Sequence, residues 1–386
     1  MTRLRGRLDH LVGPHVRRGL DSVDPSILEV LRLGTYQLFL MGGVPAYAAV
    51  AESVEQARDV AGPRVAGFVN AVLRRVAEAG DGTERFPAES SDPAGFLASW
   101  GSHPRWLVDR WLQRWSASEV RRLVEVDNRR PAVFLVPLGS TAGEAVIRLA
   151  GAGIGAEVVG LGTGCVRLDE GVAVGAALDV AGPAIVQDPA ANLVSTYADV
   201  PSGTIVADLC AAPGGKALAL PAPDLRIFAA DRSESRIRLL RDNARRTGRS
   251  VAVAVADATR PPIRAADVVM LDVPCTGTGT LARHPDARWR LRPDSIAQMT
   301  ALQDRMLAAA ADVVVPGGLL VYSTCSLEPE ENGLRVRAFL ASRPDFVLEP
   351  SDAVSPDLLD ADGCLSMTPQ AQGFDGSYAA RMRRAR

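Results

Sequence analysis

From Thr204 onward, apolar strand-like stretches alternate with helix-like ones, and four of the strands close on or beside an aspartate. The stretches are Thr204–Leu209, Arg226–Asp231, Val251–Asp257, Asp267–Val273 and Gly318–Ser323. Such alternation implies an α/β fold: a Rossmann-like, doubly wound, mostly parallel sheet with helices on its faces. In that architecture the C-terminal ends of the strands converge on one crevice. Asp208, Asp231, Asp257 and Asp272 sit at four of those ends. One such acid is easily a helix cap or a turn residue; four in succession form a binding pattern.

The loop after the first strand reads Asp208-Leu209-Cys210-Ala211-Ala212-Pro213-Gly214-Gly215-Lys216. Strand, glycine-rich turn and helix start together expose backbone N–H groups to a ligand. With only two adjacent glycines the loop lacks the G-x-G-x-x-G spacing of a pyrophosphate site, which favours S-adenosylmethionine over NAD. Asp231 stands where this fold holds ribose hydroxyls, and Asp257 is placed to reach an adenine amino group. The expected cofactor-binding set is therefore Cys210, Ala211, Ala212, Pro213, Gly214, Gly215, Lys216, Asp231, Asp257 and Asp272. Lys216 is the single lysine among 43 Lys+Arg residues. Arginine is a planar five-donor fork and lysine a compact point charge, so an ammonium group is wanted at this spot.

Five cysteines (Cys165, Cys210, Cys275, Cys325, Cys364) are spread through the chain with no C-x-x-C pair. This pattern argues against a disulfide framework or a metal site and for reduced thiols in the cytoplasm. Cys165 and Cys364 read as inert packing. Cys275 directly follows the fourth strand of the series and Cys325 the fifth, so adjoining strands would bring both thiols to the cofactor crevice. A thiolate can add to C6 of a pyrimidine and make C5 nucleophilic enough to accept a methyl group. A nearby Lys216 would lower a thiol pKa. These residues leave open which thiol attacks.

Net charge is −2, so bulk charge does not announce a nucleic-acid binder. Arginines cluster at Arg232, Arg236, Arg238, Arg241, Arg245, Arg246 and Arg249, and again at Arg283, Arg288, Arg290 and Arg292. Each cluster reads either as solvated surface or as phosphate contacts. Residues 131–199 are acidic, with two arginines against seven acids. No apolar run is long enough to span a bilayer, and no secretory signal opens the chain. Residues 1–80 carry helical periodicity at Ile27, Leu28, Leu31, Leu38 and Phe39, then at Val65, Phe68, Val69, Val72 and Leu73. Residues 80–104, rich in Gly, Ser, Pro and acids, read as a linker. The Trp-rich stretch that follows (Trp106, Trp111, Trp115) reads as packing. Short strands Ala132–Val136, Glu157–Val159 and Val166–Leu168 around a helix Ala142–Ala150 suggest a small α+β module. The expected domains are a helical one at 1–80, a linker region with the small module at 96–199, and a catalytic domain at 200–386.

Three motifs make a resemblance specific: D-x-C-A-A-P-G-G-K at Asp208–Lys216, D-x-P-C-T-G-x-G at Asp272–Gly279, and Y-S-T-C-S-x-x-P-E-E-N at Tyr322–Asn332. Together with Arg283-His284-Pro285-Asp286 and Gly182–Ala190, they resemble the Sun/Fmu family of RNA (cytosine-5) methyltransferases. Within it they are most similar to the RsmB type, which acts on 16S ribosomal RNA. Ile27–Leu40, Ala51–Glu55 and Val69–Arg74 resemble that family's NusB-like RNA-binding module. The resemblance implies Cys325 as the nucleophile on C6 and Cys275 as the group that helps release product. It implies Asp272 and Lys216 as contacts to the cytosine or its intermediate. It further implies S-adenosylmethionine as cofactor, RNA as partner and a monomer without metal or membrane. Three departures stand out. About two N-terminal helices of the family have no counterpart here, which would leave an apolar face open. Ala217 replaces a frequent Thr, and Asp375-Gly376-Ser377-Tyr378 replaces a usual D-G-F-F. Two alternatives stay open: another RNA target such as transfer RNA, and an inactive RNA-binding assembly factor.

Overall fold

The computed structural model describes residues 1–222 and 224–386. Its chain forms two compact units, Met1–Arg129 with His284–Arg290, and Arg130–Arg283 with Leu291–Arg386.

The first unit is helical. Helices Arg5–Val12, Pro25–Leu40, Ala46–Ala61 and Pro63–Ala79 pack around Val12, Leu31, Ala57, Val69, Leu73 and Val76. Pro25 pre-sets the first turn of its helix, and Asp24 caps it by accepting from the Ser26 N–H at 2.9 Å. Gly34 lets the helices close: a Cβ there would lie 2.6 Å from both a Leu73 methyl and the Ser53 hydroxyl. A groove of about 490 Å³ opens on this unit, lined by Val16, Ile27, Val65, Phe68 and Val72 and rimmed by Arg17, Arg18 and Arg75. The stretch that composition marks as a linker contains the helix Pro93–Ser99, with Phe96 and Leu97 buried. Its polar residues are structural, since Asp92 accepts from the Gly95 N–H at 2.8 Å as a cap. Trp111 is wholly buried against His103, in keeping with packing.

Arg288 lies in the same unit with its side chain fully buried. It donates to the carbonyls of Arg3, Ser102 and Asp127 and to Asn128 Oδ1. The phosphate-contact reading therefore fails for Arg288, whose donors are turned inward.

The second unit holds two sheets. Strands β1 (Phe134–Pro137), β2 (Ala156–Val158), β3 (Val166–Leu168) and β4 (Ala184–Val186) form an antiparallel sheet of order β2-β3-β1-β4. Helices Ala142–Gly151 and Val174–Ala181 cover it over Leu135, Leu149, Val166 and Ala177. Strand β4 and the second helix escape the sequence reading: β4 is only three residues long, and the helix is short and rich in Ala, so neither shows a clear period.

The larger sheet comprises β5 (Ile205–Asp208), β6 (Arg226–Asp231), β7 (Val251–Val255), β8 (Ala266–Asp272), β9 (Val314–Thr324), β10 (Phe346–Leu348), β11 (Leu365–Met367) and β12 (Ser377–Arg384). Its order is β10-β12-β9-β8-β5-β6-β7, with β11 pairing β12. Strands β5 to β9 are mutually parallel, β12 runs antiparallel to β9, and β10 pairs antiparallel with β12. The central strands are apolar runs because both faces are covered, by helices such as Glu234–Thr247, Pro293–Val313 and Gly333–Ser342. From β5 the chain proceeds to β6 on one side and later places β8 on the other. That reversal is the switch point at which doubly wound sheets open a ligand crevice.

Candidate active site

At the end of β5, Asp208 is buried, and its Oδ1 accepts from the Cys210 N–H at 3.2 Å. Burial, reinforced by the charges of Asp272 and Asp231, pushes this carboxyl up to about 7, against the pull of the Cys210 N–H and Lys216. The loop beyond turns back sharply: Ala211 N–H donates to Ala230 O at 2.9 Å and Gly214 N–H to Ala211 O at 2.7 Å. Gly214 has φ +104°, and a Cβ there would press on Leu218 and Leu240 at 3.0 and 3.2 Å. Glycine is required at this position on both counts. The helix that follows is a single turn, Gly215–Leu218.

A cavity of about 220 Å³ lies at the strand ends, and Cys210, Asp231, Asp257 and Asp272 line it. Ala211, Ala212, Pro213, Gly214, Gly215 and Lys216 are not in its lining; Ala211 and Ala212 pack instead against Ile237 and Leu240. Asp231 is buried, with Oδ1 accepting from the Ser233 N–H at 2.9 Å and Oδ2 lying 3.5 Å from Arg236. Asp257 is exposed; the Thr259 N–H and hydroxyl, both at 2.8 Å, hold its carboxyl below the usual range. The sequence reading missed the cavity's apolar wall, Leu302 and Met306, and the cation Arg236. The wall belongs to a helix remote in sequence, and Arg236 is hidden in an arginine-rich stretch. Arg236 donates to Ala212 O, and Arg246 to Ala184 O, so part of that stretch is engaged within the protein.

The ammonium of Lys216 lies 2.7 Å from Asp272 Oδ2, and Ser323 donates to Oδ1 of the same carboxylate at 2.8 Å. Burial would lower the Lys216 pKa, but the charge and hydrogen bond of Asp272, with help from Cys325 and Asp208, hold it above the ordinary value. Because β8 and β9 pair with Asp272 opposite Ser323, the loops that follow them run side by side. Those loops bring Cys275 Sγ to 3.4 Å from Cys325 Sγ. The hydrogen bond with Cys325, then burial and the charge of Glu331, push the Cys275 thiol well up. Buried Cys165 and Cys364 are pushed up to about 12 and about 11, chiefly by desolvation, and burial likewise raises Cys210. Such thiols are poor nucleophiles. Arg283 is engaged as well, with Asp188 at 2.7 Å and Asp375 at 2.9 Å.

Three family descriptions match successive parts of the chain: the NusB family over 1–78, an RsmF/B-like ferredoxin-like domain over 103–175, and 16S rRNA methyltransferase RsmB/F over 197–383. The ribosomal RNA small subunit methyltransferase B of Vibrio cholerae is 34% identical over 91% of this chain and 80% of its own length. The protein described as the probable ribosomal RNA small subunit methyltransferase B of Bacillus subtilis is 30% identical over 98% of this chain and 87% of its own length. A crystal structure described as that of PH0851 superposes with a TM-score of 0.82 at 26% identity, covering 99% of this chain and 88% of that one. A helical NusB-like region, a methyltransferase fold with paired strand-end carboxylates, and relatives alike over 80% and 87% of their own length lead to one assignment: the chain belongs to the RsmB/Sun family of ribosomal RNA small subunit methyltransferases.

Proposed function

We propose that this protein methylates C5 of a cytosine in 16S ribosomal RNA, with S-adenosylmethionine as methyl donor, through a covalent bond between Cys325 and C6. The observation that carries this reading is the pair of thiols 3.4 Å apart at the ends of adjoining strands, beside the Lys216–Asp272 pair. The cavity fits the cofactor's chemistry. Its carboxylates suit a diol, an exocyclic amine and a cation, and Leu302 and Met306 offer an apolar face. Cys210, Asp231, Asp257 and Asp272, which line the cavity, would hold the cofactor, which when bound supplies an electrophilic methyl group.

C5 of cytosine is a weak nucleophile. Addition of the Cys325 sulfur to C6 breaks the C5=C6 π bond and places the electron pair on C5. Asp272, oriented by Lys216 and Ser323, would steady the base by accepting a hydrogen bond from its exocyclic amino group. The Lys216 charge would stabilise the negative charge that develops on the ring. After C5 bonds to the methyl group, its remaining proton must leave. With Cys325 bonded to C6, the hydrogen bond and charge that raise the Cys275 thiol are gone. Cys275 would pass its own proton to water and, as thiolate, take the C5 proton, whereupon the double bond re-forms and the Cys325 sulfur departs as thiolate. The target base has to leave its stack to enter the crevice. We infer further that the protein acts as a cytoplasmic monomer; among the described residues no helix is long and apolar enough to cross a membrane.

The test uses a Cys275→Ala variant incubated with S-adenosylmethionine and unmodified 16S ribosomal RNA. A protein–RNA band should survive a denaturing gel and vanish when Cys325 is also changed to Ala. Normal wild-type methyl transfer with no such band would overturn the roles given to the two thiols. Bisulfite mapping of RNA from a strain lacking the protein would show whether the lost 5-methylcytosine lies in 16S or in transfer RNA.

A further inference from the structure

The backbone ladder between β8 and β9 ends where Val273 N–H donates to Ser323 O at 3.0 Å. Cys275 and Cys325 lie just beyond it, on loops joined by one further backbone bond, Gly279 N–H to Cys325 O at 3.0 Å, and otherwise by side chains. Glu331, fully buried, lies between those loops. Its Oε1 accepts from the Thr276 N–H at 2.9 Å and from Gln303 Nε2 at 3.0 Å. Its Oε2 accepts from the hydroxyls of Thr276 and Ser326. Thr276 follows Cys275 in the chain and Ser326 follows Cys325. Gln303 also donates to Pro274 O at 3.0 Å, on the other side of Cys275. The Tyr322 hydroxyl in turn fixes the Glu331 carbonyl at 2.7 Å. One carboxylate thus gathers donors from the neighbours of both sulfurs.

We propose that Glu331 is a positioning residue that holds Cys275 and Cys325 at their working separation for RNA methylation. Its functional part rests on the two-thiol reading above. An ionised carboxylate is an acceptor-only group with room for four donors, which the amide of Gln cannot match. Glu331→Gln keeps the size, but an amide nitrogen in place of Oε2 makes the Thr276 and Ser326 hydroxyls turn to accept, and the charge-assisted bonds that draw the two loops together are lost. The loops would then settle differently by a fraction of an ångström to an ångström. Misplacement on that scale costs on the order of 10²-fold in rate.

The experiment compares full-length wild type with Glu331→Gln in three measurements. The first is the rate at which diamide closes the Cys275–Cys325 disulfide without RNA, followed by peptide mapping; the two thiols lose their hydrogens to the reagent's N=N bond as the S–S bond forms. The second is affinity for S-adenosylmethionine. The third is kcat and KM for methyl transfer to RNA. We expect slower disulfide closure, cofactor affinity close to wild type, and kcat lowered by about 10²-fold with KM little changed. Unchanged closure and kcat would overturn the proposal. Loss of cofactor binding in step with activity would also overturn it, since Glu331 would then merely support the fold. If Glu331→Gln does not fold, Ser326→Ala and Thr276→Val decide by the same measurements: each should slow closure, and wild-type rates in both would overturn the idea. Slow closure in Glu331→Gln beside normal wild-type methyl transfer and a Cys275→Ala variant that forms no RNA adduct would keep Glu331 as the brace and sink the covalent mechanism instead.

Discussion

Asp208 shows how one residue can be visible in sequence while its state is set by its surroundings. As the end of an apolar run it reads as a strand-end acid; buried beneath Asp272 and Asp231, it has a carboxyl pushed up to about 7. Its ordinary value is 3.8, so the folded protein holds this proton more tightly than the unfolded chain. Stability without ligand should therefore fall as pH rises from about 4 through about 7, and the Asp208 contribution should then level off. Asp208→Asn should remove that part of the slope and be the more stable of the two at pH 8. Urea unfolding at pH 5 and pH 8 reads this directly; equal slopes in both proteins would contradict it. A bound cation would relieve the same repulsion.

Between elements, the loops at the strand ends are joined less by backbone than by side chains. Arg283 is the clearest case outside the thiol pair. Its guanidinium meets Asp188, which follows β4, and Asp375, which precedes β12. Asp188 also caps the helix Pro189–Tyr197 and accepts from the Asp375 N–H at 3.2 Å. Removing the cation leaves two acids facing each other in a largely buried place. Arg283→Ala should therefore cost about 2–4 kcal/mol, read as a lower urea midpoint with an unchanged m-value. A loss below about 0.5 kcal/mol would place Arg283 among ordinary surface ion pairs. In sequence Arg283 looked like one more member of a basic cluster, because its two partners lie about a hundred positions away on either side.

Across the whole molecule, the second unit is interrupted by His284–Arg290, which belongs to the helical unit. Within that unit Arg288 satisfies three carbonyls and an amide oxygen, and burial lowers its pKa to about 10. Arg288→Met would fill similar volume but orphan those acceptors. We expect a loss of about 3–5 kcal/mol from the helical unit, measured by its helical signal during denaturation. Stability within about 1 kcal/mol of wild type would show that the buried acceptors find other donors.

Much of the architecture was legible beforehand. Central parallel strands are apolar on both faces, so they appear as runs, and β5 to β9 lie within a few residues of the five stretches read from sequence, whereas β10, β11 and β12 were not read. The helices Pro25–Leu40 and Pro63–Ala79 show their periodicity in sequence. Linear reading failed where local signals are short or ambiguous: β4, the helix Val174–Ala181, and the helix Pro93–Ser99 whose caps look like linker residues. The strand ends that bear Cys275, Cys325, Asp272 and Lys216 were set by the sequence, because alternation dictates which termini share an edge. Only the tertiary structure decided that the sulfurs sit 3.4 Å apart, that Glu331 braces their loops, and that Arg283 and Arg288 turn inward. Period and composition are properties of neighbours along the chain; a hydrogen bond between residues far apart depends on where the fold delivers them.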